Sequence, residues 1–85
     1  MPQTDLVKAR ARAKRLGVMV KPSTRKHKKL DVYKHGEKIA SIGDKKYSDF
    51  LQHGDEGRRR LYKKRHEKDR HNKGSPGYYA DKILW

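Results

Sequence analysis

Positive charge is concentrated at the two ends of this chain, and that limits how compact a fold it can reach. Residues 1–29 carry ten basic and one acidic side chain, a net +9. Residues 30–57 carry four and six, net −2, and residues 58–85 carry ten and three, net +7. Like charges at this density repel one another and oppose compaction. Little apolar material stands against them: 32% of the 85 residues are hydrophobic, several of them alanines inside a basic stretch. Cysteine is absent, so no disulfide reinforces a core and no thiolate holds zinc. The expectation is one small domain, a modest hydrophobic nucleus with long extensions that become ordered on a partner. A near-neutral middle between cationic arms also favours a protein that holds a polyanion over one that turns over a small-molecule substrate.

Thr4 and Asp5 precede an Ala-, Leu- and Arg-rich stretch that ends at Gly17, a pattern of N-cap, helix formers and terminal glycine that predicts a helix. Leu6, Ala9, Ala13 and Leu16 fall at spacings of three, four and three, which makes one narrow apolar stripe. Lys8, Arg12 and Arg15 form a cationic face, with Arg10 and Lys14 beside it. Val18, Met19 and Val20 follow. Pro22-Ser23-Thr24 then reads as a break, and Arg25-Lys26-His27-Lys28-Lys29 as a basic linker. Residues 1–29 are therefore expected to form a helix-and-linker arm, and residues 30–85 a hairpin-plus-helix module with a C-terminal anchor.

In that module, residues 30–33 and 38–42 are β-prone segments around Lys34-His35-Gly36-Glu37, a turn with a glycine available for positive φ. A lone hairpin is marginal in water and needs a cover. Tyr47, Phe50 and Leu51, or the stripe of the first helix, are the candidates. A second basic helix is expected from about Asp55, with Asp55 and Glu56 favouring the helix dipole and Asp55/Arg59 and Glu56/Arg60 as i,i+4 pairs. Its only apolar members are Leu61 and Tyr62. After Asn72-Lys73-Gly74-Ser75-Pro76-Gly77, five of the last eight residues, Tyr78, Tyr79, Ile83, Leu84 and Trp85, are large and apolar or aromatic. This reads as an extended apolar tail that docks on the hairpin or plugs into a neighbouring protein. Burying Ile83, Leu84 and Trp85 contributes ~1.5–3 kcal/mol each. The fold class is α+β, in a small single domain.

The candidate polyanion-binding residues are Lys8, Arg10, Arg12, Lys14 and Arg15 on the first helix and Arg25, Lys26, Lys28 and Lys29 in the linker. Arg58, Arg59, Arg60, Lys63, Lys64 and Arg65 complete the set on the second helix. Tyr33, Tyr47, Tyr62, Tyr78 and Tyr79 offer rings for stacking on single-stranded bases, although filling a thin core is the simpler role. No zinc-finger spacing, RNP-like strand or other base-reading signature is present, so sequence-specific recognition is not expected. The histidines at 27, 35, 53, 66 and 71 do not make a metal-ligand pattern; His66 and Asp69 alone are a weak pair. Asp31, Glu37, Asp44, Asp49 and Asp55 are the possible acid–base groups, and none stands in a recognisable constellation with a nucleophile. The chain is expected to be no enzyme and to need no cofactor. No apolar run approaches the ~20 residues that span a bilayer. The start, Met1-Pro2-Gln3-Thr4-Asp5, lacks the order of a signal peptide and the glycine of a lipidation signal.

From Pro22 to Trp85 the sequence resembles a family of small basic proteins encoded by giant and large DNA viruses, including algal viruses of the chlorella-virus type. The landmarks, in order, are residues 22–26, Lys28-Lys29-Leu30-Asp31-Val32-Tyr33, Gly36-Glu37-Lys38-Ile39 and Ile42-Gly43. Tyr47-Ser48-Asp49-Phe50, His53, the Arg-rich run through Tyr62 and Arg65-His66, and residues 77–85 complete them. The resemblance carries over no catalytic residue. It implies a viral origin and a place in the virion, reached through the cytoplasm or nucleus of the host cell. The function expected is a non-enzymatic structural protein of the minor capsid type. Its cationic arms would bind capsid proteins with acidic surfaces, or the DNA genome, and its apolar tail would anchor it. The competing expectation is a sequence-nonspecific DNA-binding and condensing protein.

Overall fold

The computed structural model describes residues 3–85. Met1 and Pro2, on which the reading of the start partly rests, lie outside the described residues. The chain forms α1 (Gln3–Arg15), β1 (Met19–Pro22), β2 (Lys28–Lys34), β3 (Glu37–Asp44), α2 (Phe50–His53), α3 (Glu56–Arg65), α4 (Glu67–Arg70) and α5 (Pro76–Leu84). This is a small α+β single domain. The strands make one antiparallel sheet in the order β1-β2-β3.

Helix α1 places Thr4 and Asp5 inside its first turn rather than at its cap, and Asp5 is buried. Its C-terminus closes as a Schellman motif. Val18 N–H donates to Ala13 C=O, Gly17 N–H donates to Lys14 C=O, and Gly17 supplies the positive φ. The apolar stripe faces inward as its spacing requires: Ala9 and Ala13 are fully buried and Leu6 and Leu16 pack beside them. Two alanines in the contact allow the helix to lie close to the sheet and to α5.

The expected hairpin gains a third strand. Val18 and Val20 alternate with exposed Met19 and face the core, so the segment before Pro22 is β1 rather than a lead-in to a break. Pro22 pairs with Leu30 at the sheet edge, where a residue without an N–H is tolerated. The turn between β2 and β3 places both His35 (φ 52°) and Gly36 (φ 82°) at positive φ, the requirement of a two-residue type I′ connection. A register shift between Val32 and Tyr33 leaves Ile39 without a partner. The boundary expected between residues 29 and 30 falls inside β2, and α1 shares one core with the rest.

The tail is a helix, not an extended segment. Ser75 caps α5 by accepting from Tyr78 N–H, and Pro76 opens it with a preset φ. Tyr79 and Ile83, four apart, and Leu84 then face α1 and β3. Where α5 meets the sheet, a Cβ on Gly43 would lie 2.9 Å from Leu84 Cδ1 and 3.1 Å from Lys29 Cβ. Helix α2, absent from the sequence expectations, starts at a capping box between Asp49 and Gln52 and buries Leu51. Helix α3 starts at Asp55 as expected, but Asp55 caps Arg58 N–H and Glu56 pairs with Arg59 at 3.6 Å, in place of the i,i+4 pairs.

Candidate functional site

Part of the acidic complement goes inward in this molecule, which changes the charge of its surface. Four of its ten carboxylates, Asp5, Asp31, Asp49 and Asp81, are buried. Asp31, at 0% exposure, accepts from Ser23 Oγ and Ser41 Oγ, both at 2.7 Å, and from Thr24 N–H, with Lys38 Nζ 3.6 Å away. Burial alone would raise its pKa. The hydrogen bonds from Ser23, Ser41 and Thr24, with the charge of Lys38, outweigh burial and bring it down to about 2. Asp49 receives Lys29 Nζ at 2.8 Å, and the same ammonium donates to Tyr47 C=O and Gln52 Oε1. Asp81 faces Lys63 at 2.9 Å, Lys82 at 3.5 Å and Arg70 at 3.9 Å.

These contacts divide the predicted cationic residues into two groups. Lys29 and Lys63 are tied to buried carboxylates, so Lys29 is a structural cation with 7% of its side chain exposed. Arg12 is half-buried at the edge of the α1 stripe and donates weakly to Ile83 C=O at 3.4 Å; burial and the nearby Arg59 and Arg15 lower its pKa. Arg59 lies over the Phe50 ring and donates through Nε to the Trp85 backbone oxygen at 2.8 Å. Lys28 is half-buried, and the rest stay outside. Lys8, Arg10, Lys14 and Arg15 on α1, Arg25 and Lys26 between β1 and β2, and Arg58, Arg60, Lys64 and Arg65 on α3 are exposed. None of them pairs with a carboxylate among the described residues.

The tail residues expected to anchor a partner serve this chain's own core. Ile83 and Leu84 are fully buried, Tyr79 nearly so, and Tyr78 and Trp85 are half-buried. The apolar face of α5 is shared between β3, α1 and α4, which leaves Tyr78 and Trp85 half-buried at its margin.

Between the end of β3 and helices α3 and α5 lies a cleft of about 860 Å³. Tyr62 forms its aromatic wall, stacked on Trp85 at 4.1 Å and 3° and on His66 at 4.3 Å and 28°. The Tyr62 hydroxyl is pushed up to about 12 by burial and by Asp81 and Asp69. Tyr47, 70% exposed, lines the same cleft, as do Lys28, Arg58 and Arg65. Taken one at a time along the sequence, the tyrosines give no sign of this assembly. Its only local signal was the four-residue spacing of Tyr62 and His66 on one helix face. His66 Nδ1 stands 3.9 Å from Asp69, and no group of three or more metal-ligating side chains forms among the described residues. No helix among the described residues is long and apolar enough to cross a membrane.

The chain belongs to a family of unknown function (DUF5754), whose model matches residues 18–66, more than half its length. The matched segment runs from just before β1 to the residue after α3, and so covers the sheet and one wall of the cleft. No curated protein and no solved structure matches the chain.

Proposed function

We propose that this chain is a non-enzymatic structural protein of a virus particle that holds nucleic acid through its phosphates without reading its sequence. The observation that carries the reading is the partition of charge. Four of the ten carboxylates are buried, while α1, α3 and the β1–β2 loop keep unpaired arginines and lysines in solvent. Each phosphate neutralised by such a cation releases condensed counterions and steepens the dependence of log K on log salt by ~0.9. The viral setting rests on the resemblance of residues 22–85. Nucleic acid is favoured over an acidic capsid surface because the α5 tail, which would have fixed the chain to a protein, packs on its own sheet.

The test is to separate purified particles into shell and genome-bearing core and to search both for this chain by peptide mass spectrometry. Recovery with the core is expected. Recovery with the shell alone would make the cations protein-binding devices, and absence from both would end the virion reading.

A further inference from the structure

We propose that the cleft between β3, α3 and α5 receives an unpaired nucleobase with its flanking phosphate, which gives the chain a preference for single-stranded over duplex nucleic acid. The inference rests on the nucleic-acid reading above and names the form of the ligand.

Three features of the cleft converge on such a ligand. Its volume of about 860 Å³ suits a small planar group and its substituents, since ligand sites run from about 300 to 1,000 Å³. Its wall is aromatic and fixed. The Trp85–Tyr62–His66 column is already stacked, with 42% of the His66 side chain exposed, and Tyr47 stands exposed without a ring partner among the described residues. Its charge is placed for one phosphate. Asp69 sits beside His66, and Arg58 and Arg65 line the cleft without an ion pair among the described residues.

His53 adds an independent sign. Its Nδ1 accepts from Asp55 N–H at 2.9 Å, so the neutral ring carries its proton on Nε2. That Nε2 is buried and has no hydrogen-bond partner, and the residue lines this cleft. A buried donor without a partner is a polar group the fold leaves unsatisfied beside the cleft wall, where its ring packs 5.4 Å from Trp85. A duplex keeps its base faces inside its own stack and presents phosphates and base edges, whereas a single strand presents the faces as well. An acidic peptide would satisfy the arginines and leave the aromatic wall without a role.

Trp85 is the single tryptophan and belongs to the stack, so its fluorescence reports on the cleft directly. The full chain is titrated with a short oligothymidylate, with a hairpin duplex of equal phosphate count, and with polyglutamate at the same ionic strength. The oligothymidylate should alter Trp85 emission and bind about tenfold more tightly than the duplex. Tyr47→Ala, at an exposed position, should weaken the oligothymidylate about five- to tenfold and leave the duplex unchanged. Arg10→Gln with Lys14→Gln should weaken both nucleic acids alike. Equal affinity for single strand and duplex, untouched by Tyr47→Ala, would overturn the cleft inference and leave phosphate binding intact. An equal response of Trp85 to polyglutamate would also overturn it, because the cleft would then read charge alone. Loss of binding to both nucleic acids by about 150 mM salt would remove the underlying reading as well.

Discussion

Asp31 and Lys29 show how a chain with so much positive charge uses its few acids. Asp31 is held ionised by two serine hydroxyls and a backbone N–H, so its pKa in the folded state, about 2, lies below that of an unfolded aspartate. A depressed carboxyl pKa contributes stability that is present above the unfolded value of ~3.9 and disappears as pH falls through the folded one. The stability difference between the natural chain and Asp31→Asn, measured by urea unfolding, should therefore be constant above about pH 5 and shrink toward pH 2. A difference that does not change over that window would mean the carboxylate is not held by these donors. Lys29 presents the reverse case, a cation 7% exposed against a carboxylate 3% exposed. Lys29→Met should cost about 3–5 kcal/mol by leaving Asp49 charged and alone. Adding Asp49→Asn, which keeps an oxygen for the α2 cap, should recover part of that loss. A single substitution costing under about 1 kcal/mol would show that the pair is solvated.

At the scale of elements, helices α1 and α3 and the hairpin turn were legible in the sequence because each depends on neighbours along the chain. The Leu6–Ala9–Ala13–Leu16 stripe, the Gly17 stop and the Asp55 start are all local signals, and each appears where its spacing places it. Strand β1 was not legible, since a Pro beside a basic loop looks like a break until β2 lies next to it. Helix α5 carried a readable Ser75-Pro76 start, but its apolar density drew the reading toward an anchor. The cleft was least legible of all: it joins Lys28, Tyr47, Tyr62 and Trp85, which only the fold brings together. The tail also separates two roles by experiment. Deleting residues 83–85 removes Ile83 and Leu84, whose burial contributes ~1.5–3 kcal/mol each, and that is a large part of what holds so small a domain. Circular dichroism of the truncated chain should show lost cooperative unfolding. A truncated chain that folds normally would return the tail to the role of partner anchor.

For the whole molecule, burial of four acids leaves a surface more cationic than the formal net charge of +14 suggests. Two opposite responses to salt follow from this one fact. Free cations on α1, α3 and the β1–β2 loop repel one another in the folded state, and that repulsion is screened once the Debye length falls to ~10 Å near 0.1 M salt. The pair Lys29–Asp49 is buried and is screened much less. Raising sodium chloride from a few millimolar to about 0.3 M should therefore raise Tm, while affinity for nucleic acid falls along a steep log–log line. An oligonucleotide added at low salt should stabilise the fold by linkage, and that gain should fade over the same salt range. Calorimetry with and without oligonucleotide measures both slopes on one sample. If Tm instead falls as salt rises, surface ion pairs outweigh self-repulsion, and the exposed cations already have internal partners. Polyanion binding would then have to break contacts rather than satisfy free charges, and the charge partition would no longer account for it.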